Sequence, residues 1–199
     1  MQKNNYVRYA ATLAIICLAA SGLLSVVYNV TRPKILAQQQ REEEDSLKEV
    51  LPQAKSFEPM QESQDVVYYK ALDSDQKVLG YAFKASQKGY SSEIVTMVGM
   101  TPQGEIIRIK ILSQNETPGL GTRIAEVIQK DTFWDIFIRK IKPGPVPQPW
   151  FQEQFSGKKI DDLDSAVNAI TGATISSSAV IDSVKTRAKE IMEKIRHGQ

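Results

Sequence analysis

The fold is decided by residues 94–112, which read IVTMVGMTPQGEIIRIKIL. Ile94–Met100 and Ile106–Leu112 are rich in β-branched residues, and a Pro-Gln-Gly turn signal separates them. Two more strand-like segments precede this pair, Val66–Leu72 and Val78–Lys84. Strands joined by such short turns pair in antiparallel fashion. The sequence therefore predicts an antiparallel sheet.

Helices are predicted after the strands. The clearest has an apolar period of 3.6 residues, carried by Val180, Ile181, Val184, Ala188, Ile191, Met192 and Ile195. Another is predicted over Thr122–Arg139, with apolar positions at Ile124, Val127, Ile128, Phe133, Trp134, Phe137 and Ile138. Residues 143–149 hold four prolines and indicate a stiff extended loop. The predicted fold class is α+β, an antiparallel sheet covered by helices and preceded by one N-terminal transmembrane helix.

The N-terminal segment indicates a membrane anchor. No charged residue occurs from Tyr9 to Thr31, a run long enough to cross a bilayer. A cleaved signal peptide is the alternative, but the apolar run is longer than such peptides need, which favours an uncleaved anchor. Basic residues lie on both sides of the run, so charge alone does not fix the orientation.

Three regions follow from this organisation. Residues 1–31 contain the anchor, with a span of about 9–30. Residues 32–59 form a stalk helix and linker, in which a polar helix over 34–51 makes apolar contacts through Leu47, Val50 and Leu51 and ends before Pro52. Residues 60–199 form the main domain.

Composition excludes several functions. One Cys and one His cannot supply an internal disulfide, a zinc site or an iron–sulfur cluster. Residues 32–199 carry 23 basic and 23 acidic side chains, and this neutral balance argues against nucleic-acid binding. No metal site and no catalytic residue are predicted.

Two loops carry candidate chemistry. Glu116-Thr117-Pro118-Gly119-Leu120-Gly121 contains glycines that let backbone amides approach a ligand, but the residues alone favour a tight structural turn. Thr171-Gly172-Ala173-Thr174-Ile175-Ser176-Ser177-Ser178 precedes the predicted C-terminal helix and is typical either of helix capping or of a phosphate site. The chemistry of the residues leaves both alternatives open.

Together, the two loops resemble the FMN-binding domain of the G subunit of Rnf-type electron transport complexes and of the related C subunit of the sodium-pumping NADH:quinone reductase. The resemblance covers the whole chain. It also includes Thr31-Arg32-Pro33-Lys34 after the anchor, Lys88-Gly89-Tyr90-Ser91 and Phe155-Ser156-Gly157-Lys158.

The resemblance implies that FMN is esterified through its phosphate to Thr174 by a separate flavin transferase that uses FAD. It further implies a phosphate pocket shaped by Thr171, Gly172, Ala173, Ile175, Ser176 and Ser177, and contacts to the ribityl chain or ring from Glu116, Thr117, Gly119, Leu120, Gly121 and Tyr90. Two departures from the family pattern stand out: Asn168, where relatives carry aspartate, and Ser92, where they often carry glycine. Lys158 is expected to be a solvated surface lysine, and Trp134 and Trp150 are expected to be core residues.

The implied function is a membrane-anchored electron carrier, the G subunit of a redox-driven, ion-pumping ferredoxin:NAD⁺ oxidoreductase. The expected partners are the other membrane subunits, including a second FMN-bearing subunit, the transferase and the lipid bilayer. The FMN domain is expected to be extracytoplasmic in the cell membrane. The alternatives are a non-redox ligand-binding or sensor module, which would tolerate Thr174→Ala, and a structural tether.

Overall fold

We describe a computed structural model of the chain, which covers residues 3–62, 65–126 and 149–197. The chain divides into two compact units, Met1–Glu43 and Glu44–Gln199. The first helix, α1, is Lys3–Val50. Two predictions concern residues outside this description. They are the part of the second predicted helix over Val127–Arg139, with Trp134, and the prolines at 143, 145 and 147.

Helix α1 is long and apolar enough to cross a membrane, as the sequence predicts. Two of its hydroxyl groups are bonded within the helix: Thr12 Oγ1 donates to the Arg8 carbonyl at 2.9 Å and Ser21 Oγ to the Cys17 carbonyl at 2.7 Å. A bilayer core offers no water to such groups, so internal pairing lowers the cost of placing them there. Helix α1 is thus the candidate membrane span of the described chain.

The C-terminal end of α1 belongs to the second unit and is buried. Leu47, Val50 and Leu51 pack against the sheet residues Ala71, Ala82 and Met97. Gly99 permits this close approach, because a Cβ at that position would lie 2.6 Å from the Val50 carbonyl oxygen. The helix ends at Val50, two residues before Pro52, as predicted.

The sheet is an antiparallel meander. Within the described residues it has six strands in the order β1-β2-β3-β4-β5-β6. The strands are β1 Ser56–Glu62, β2 Asp65–Leu72, β3 Val78–Lys88, β4 Glu93–Met100, β5 Glu105–Ser113 and β6 Lys158–Lys159. The four central strands confirm the prediction.

The outer strands β1 and β6 are absent from the sequence-based prediction. Strand β1 carries Pro59 and a register irregularity at Met60/Gln61, and it pairs on one side only, which is where a sheet tolerates proline. Strand β6 is two residues long and owes its extended form to pairing with Glu105 and Ile106. Local composition therefore indicates neither of these two strands.

Helices that follow β5 in the chain cover one face of the sheet. They are α2 Trp150–Glu153, α3 Leu163–Ala166 and α4 Thr174–His197. The periodic apolar face of α4 is buried against β3 and β4 in a core that includes Phe83, Val98, Phe151 and Phe155. The α+β prediction is confirmed, and Trp150 packs against this core as expected.

The predicted α-helix Thr122–Arg139 is wrong for its first residues. Gly121–Ile124 form a short 3₁₀ helix, and the regular structure stops at Ala125. The Thr122 hydroxyl explains the tight turn, because it accepts a hydrogen bond from the Gly119 amide at 3.0 Å. Ile124 is nevertheless fully buried, as its apolar character predicts.

A buried threonine gives a test of the core. Thr96 is completely buried in β4 and its hydroxyl has no hydrogen-bond partner among the described residues. Thr96→Val removes that unpaired group at nearly constant volume, so it should leave the free energy of unfolding unchanged or raise it by up to about 1–3 kcal/mol. Denaturant unfolding of the full chain in detergent measures the change.

Thr101→Val is the matched control for this substitution. The Thr101 hydroxyl accepts the Glu105 amide at 3.1 Å, so the same chemical change should lower stability by about 0.5–1.5 kcal/mol. Equal losses in the two variants would contradict the packing described for Thr96.

Candidate functional site

A cavity of about 450 Å³ opens where the loops after β3 and β5 meet the start of α4. Such a volume lies within the range of small-molecule sites, about 300–1,000 Å³. The lining residues are Tyr90, Glu116, Thr117, Leu120, Gly121, Gly172, Ala173, Thr174, Ile175 and Ser176. Segments far apart in the sequence thus converge on one cavity.

The first turn of α4 forms one wall. The helix begins at Thr174, so the prediction that residues 171–178 precede it is wrong: Thr174–Ser178 are helical. The hydroxyls indicate a helix start, but the turn that sets it is made by Gly172, at φ +84°, and by Ala173, whose carbonyl accepts the Ser177 amide at 2.9 Å. The cap is therefore apolar.

Three residues of the cavity wall are left with free backbone donors as a result. The amides of Thr174, Ile175 and Ser176 come before the first intrahelical hydrogen bond and have no acceptor among the described residues. The dipole of this 24-residue helix adds positive potential at the same point. The Thr174 side chain is exposed, and its hydroxyl makes no hydrogen bond within the described chain.

The Glu116 carboxylate joins the loops of the site. Oε1 accepts the amides of Ser91 and Ser92, both at 3.0 Å, and the Ser92 hydroxyl at 3.3 Å. Oε2 accepts the Tyr90 amide at 3.2 Å and the Ser176 hydroxyl at 2.6 Å. One buried side chain, only 4% exposed, thus connects residues 90–92 to the first turn of α4.

These hydrogen bonds control the charge of Glu116. Burial by itself would raise the pKa of its carboxyl group, but the hydrogen bonds from Ser176 and from the amides of Ser92, Ser91 and Tyr90 together outweigh burial and hold the pKa below its usual value. Glu116 is therefore ionised at neutral pH.

Two glycines leave room for this carboxylate. A Cβ on Gly89 would lie 2.8 Å from Glu116 Oε1. A Cβ on Gly121 would lie 2.6 Å from Glu116 Cβ and 2.8 Å from Ser176 Oγ. The glycines of both loops therefore serve close packing around Glu116.

Large apolar side chains surround the mouth of the cavity. Tyr90, Leu120 and Ile175 are 68%, 50% and 57% exposed, respectively. Exposed apolar groups around a cavity that also contains a few polar groups are typical of ligand contacts.

Not every residue predicted for the site lines the cavity. Thr171 and Gly119 lie beside it, and the Ser177 hydroxyl faces away and accepts the Ile170 amide at 3.1 Å. Asn168 is exposed, and its backbone is held by the Gln154 side chain through two hydrogen bonds. Lys158 is exposed in β6 and does not line the cavity.

Further residues support the site without having been predicted for this role. Arg123 donates to the Thr171 carbonyl at 3.1 Å and ties the Glu116 loop to the turn before α4. Ser92, a departure from the family pattern, also accepts the Asn115 amide at 2.7 Å through its hydroxyl. No local motif indicates these contacts, because each joins residues more than 20 positions apart.

Glu116→Gln tests the carboxylate. A carboxamide has one acceptor oxygen, so its NH₂ group would face a backbone amide donor, and we expect a loss of about 1–3 kcal/mol in the free energy of unfolding. Because the pKa of Glu116 is lowered on folding, this stabilisation is complete above the ordinary carboxyl pKa and is lost as the pH falls through the pKa of the folded state. Denaturant unfolding of wild type and variant at a series of pH values measures the difference.

Glu93→Gln is the matched control, since Glu93 is an exposed neighbour of the same loop. It should change stability by less than about 0.5 kcal/mol at any pH. A Glu116→Gln effect as small as that of the control would contradict the hydrogen-bond network.

The chain is similar to known proteins over most of its length. Residues 89–189 match the family model of the FMN-binding domain, and residues 1–50 match that of the RnfG N-terminal region. The G subunit of an ion-translocating oxidoreductase complex from Methanosarcina acetivorans is 31% identical over 87% of this chain and 87% of its own length. The G subunit of a proton-translocating ferredoxin:NAD(+) oxidoreductase complex from Clostridium ljungdahlii is 28% identical over 95% of this chain and 93% of its own.

Among solved structures, the crystal structure of NqrC from Shewanella oneidensis matches this chain with a TM-score of 0.44 and 15% identity. The match covers 73% of this chain and 74% of the NqrC chain. The two family models and the relative at 31% identity confirm the resemblance identified from the motifs. The chain belongs to the RnfG family, the G subunits of Rnf-type ion-translocating oxidoreductase complexes.

Proposed function

We propose that this protein is the membrane-anchored electron carrier of an Rnf-type ferredoxin:NAD⁺ oxidoreductase complex, with FMN attached covalently through its phosphate to Thr174. Family membership supports the coarser part of the proposal, a membrane electron-transport subunit that uses FMN. The observation that carries the finer part is the exposed, unbonded Thr174 hydroxyl at the first turn of a 24-residue helix, in the wall of the cavity.

The first turn of α4 fits a phosphate. The amides of Thr174, Ile175 and Ser176 supply donors and the helix dipole favours an anion. Gly172 and Ala173 are small, so a phosphate can approach the backbone closely. A phosphate esterified to Thr174 would lie at this turn.

The rest of the cavity fits the remainder of FMN. Glu116 and Ser176 provide polar walls, and Tyr90, Leu120 and Ile175 provide apolar surface at the mouth. When bound, FMN would supply one- and two-electron chemistry, while the protein fixes its position and surroundings. A cavity open on one side suits a cofactor that exchanges electrons with a partner.

Attachment requires an external enzyme. A threonine hydroxyl is a poor nucleophile without a base, and the nearby Glu116 carboxylate is fully hydrogen-bonded to other donors. A flavin transferase with FAD balances the step: the Thr174 oxygen bonds to the phosphorus of the FMN half, the pyrophosphate P–O bond breaks, and AMP leaves with the threonine proton. The product gains FMN minus one water.

The partners follow from the anchor and the family. We infer that α1 holds the FMN domain on the extracytoplasmic side of the cell membrane, among the other membrane subunits, one of which bears a second covalent FMN. The small residues Ala19, Ala20, Ser21 and Gly22 suit close packing against another membrane helix.

Thr174→Val tests the attachment. The substitution keeps the shape of the side chain but removes the hydroxyl, so co-expression with a flavin transferase should give no fluorescent protein band on a denaturing gel under ultraviolet light. Thr186→Val is the matched control, because Thr186 is exposed on the same helix outside the cavity, and it should give a band of wild-type intensity.

Two outcomes would contradict the proposal. One is a wild-type band from Thr174→Val. The other is no band from wild type and from Asn168→Asp alike with a competent transferase, since the second variant restores the aspartate of the family pattern. The second outcome would favour a ligand-binding or sensor module without bound flavin.

A further inference from the structure

The Glu116 carboxylate has no capacity left for a ligand. A carboxylate offers about four lone-pair positions, and those of Glu116 receive five donors from Tyr90, Ser91, Ser92 and Ser176. Glu116 nevertheless lies in the cavity wall, between two loops that it holds together. Its position thus indicates a role other than direct ligand binding.

The Ser176 hydroxyl has a fixed polarity as a consequence. An ionised carboxylate only accepts, so Ser176 must donate its proton in the 2.6 Å hydrogen bond to Glu116 Oε2. Ser176 is 2% exposed but lines the cavity. Only the lone pairs of its oxygen are therefore available to a ligand.

A phosphate oxygen cannot be the group that meets the Ser176 hydroxyl oxygen. The phosphate oxygen and Ser176 Oγ would both be acceptors, and two acceptors with no proton between them repel each other. A hydroxyl group, by contrast, would donate to Ser176 Oγ with good geometry. The cavity wall therefore offers two kinds of hydrogen-bonding group, donors at the amides of Thr174–Ser176 and an acceptor at Ser176 Oγ.

We propose that Glu116 is a positioning residue: it holds residues 90–92 against the first turn of α4 and, by accepting the hydrogen bond of the Ser176 hydroxyl, leaves Ser176 Oγ as an acceptor for a hydroxyl of the ligand's polyol chain. The inference rests on the proposed function for the identity of that chain, the ribityl group of a flavin. The positioning itself depends only on the hydrogen bonds described above.

Amide hydrogen exchange of the full chain, made without a transferase, tests the positioning. Glu116→Gln replaces one acceptor oxygen by an NH₂ group, so it should speed exchange by about tenfold either at Tyr90 or at Ser91 and Ser92, which bond to different oxygens. It should leave the amides of β3–β5 unchanged. Glu93→Gln should leave both sets at wild-type rates. Unchanged exchange at residues 90–92, or a uniform rise over the whole domain, would overturn the positioning role.

Flavin analogues test the acceptor. Riboflavin carries the ribityl hydroxyls but no phosphate, and lumiflavin carries a methyl group in place of the ribityl chain. The unloaded wild-type chain should bind riboflavin more tightly than lumiflavin, as measured by quenching of flavin fluorescence. Ser176→Ala should reduce the ratio of the lumiflavin dissociation constant to the riboflavin dissociation constant by about threefold to tenfold, which is the effect of one hydrogen bond.

Ser178→Ala is the matched control, since Ser178 is exposed in the same helical turn and outside the cavity. The ratio of the lumiflavin to the riboflavin dissociation constant in this variant should equal that of wild type. Equal affinity of wild type for the two flavins, binding of neither, or an unchanged ratio in Ser176→Ala would overturn the acceptor role. Failure of the proposed function has a different signature, a fluorescent band from Thr174→Val, and that result would not alter the exchange data.

Discussion

The ionised Glu116 side chain is the interaction on which the site depends. Five donors from two segments that are remote in sequence converge on its two oxygens, and it is almost completely buried. A buried charge is costly unless it is fully hydrogen-bonded. The same requirement therefore fixes the loop after β3, the loop after β5 and the first turn of α4 relative to one another.

The sheet and α4 make this convergence possible. Strands β3, β4 and β5 are neighbours in an antiparallel meander, so the Lys88↔Glu93 end of one pair and the Ser113 end of the other lie at the same edge. Helix α4 crosses the buried face of β3 and β4 and brings its N-terminus to that edge. The core thus delivers a helix terminus, with its free amides, to a loop that carries a carboxylate.

Much of the fold follows from the sequence, because it depends on local pattern. The β-branched runs predict β2–β5, and the 3.6-residue period predicts α4 from Val180 onward. The rest depends on tertiary contacts: β1 and β6 form by pairing, and the true start of α4 depends on the Gly172 turn. The resemblance implies that residues 116–121 and 171–176 belong to one site, and the structure brings most of them to one cavity. The part that Glu116 plays between them requires the Ser91, Ser92 and Ser176 contacts, which no sequence spacing reveals.

Peptide mapping by mass spectrometry tests the central claim most directly. Wild-type protein made with a flavin transferase should give a peptide containing Thr174 that is heavier by FMN minus one water, with fragment ions that assign the added mass to Thr174. The same peptide at its unmodified mass, or the flavin mass on another residue, would contradict the account.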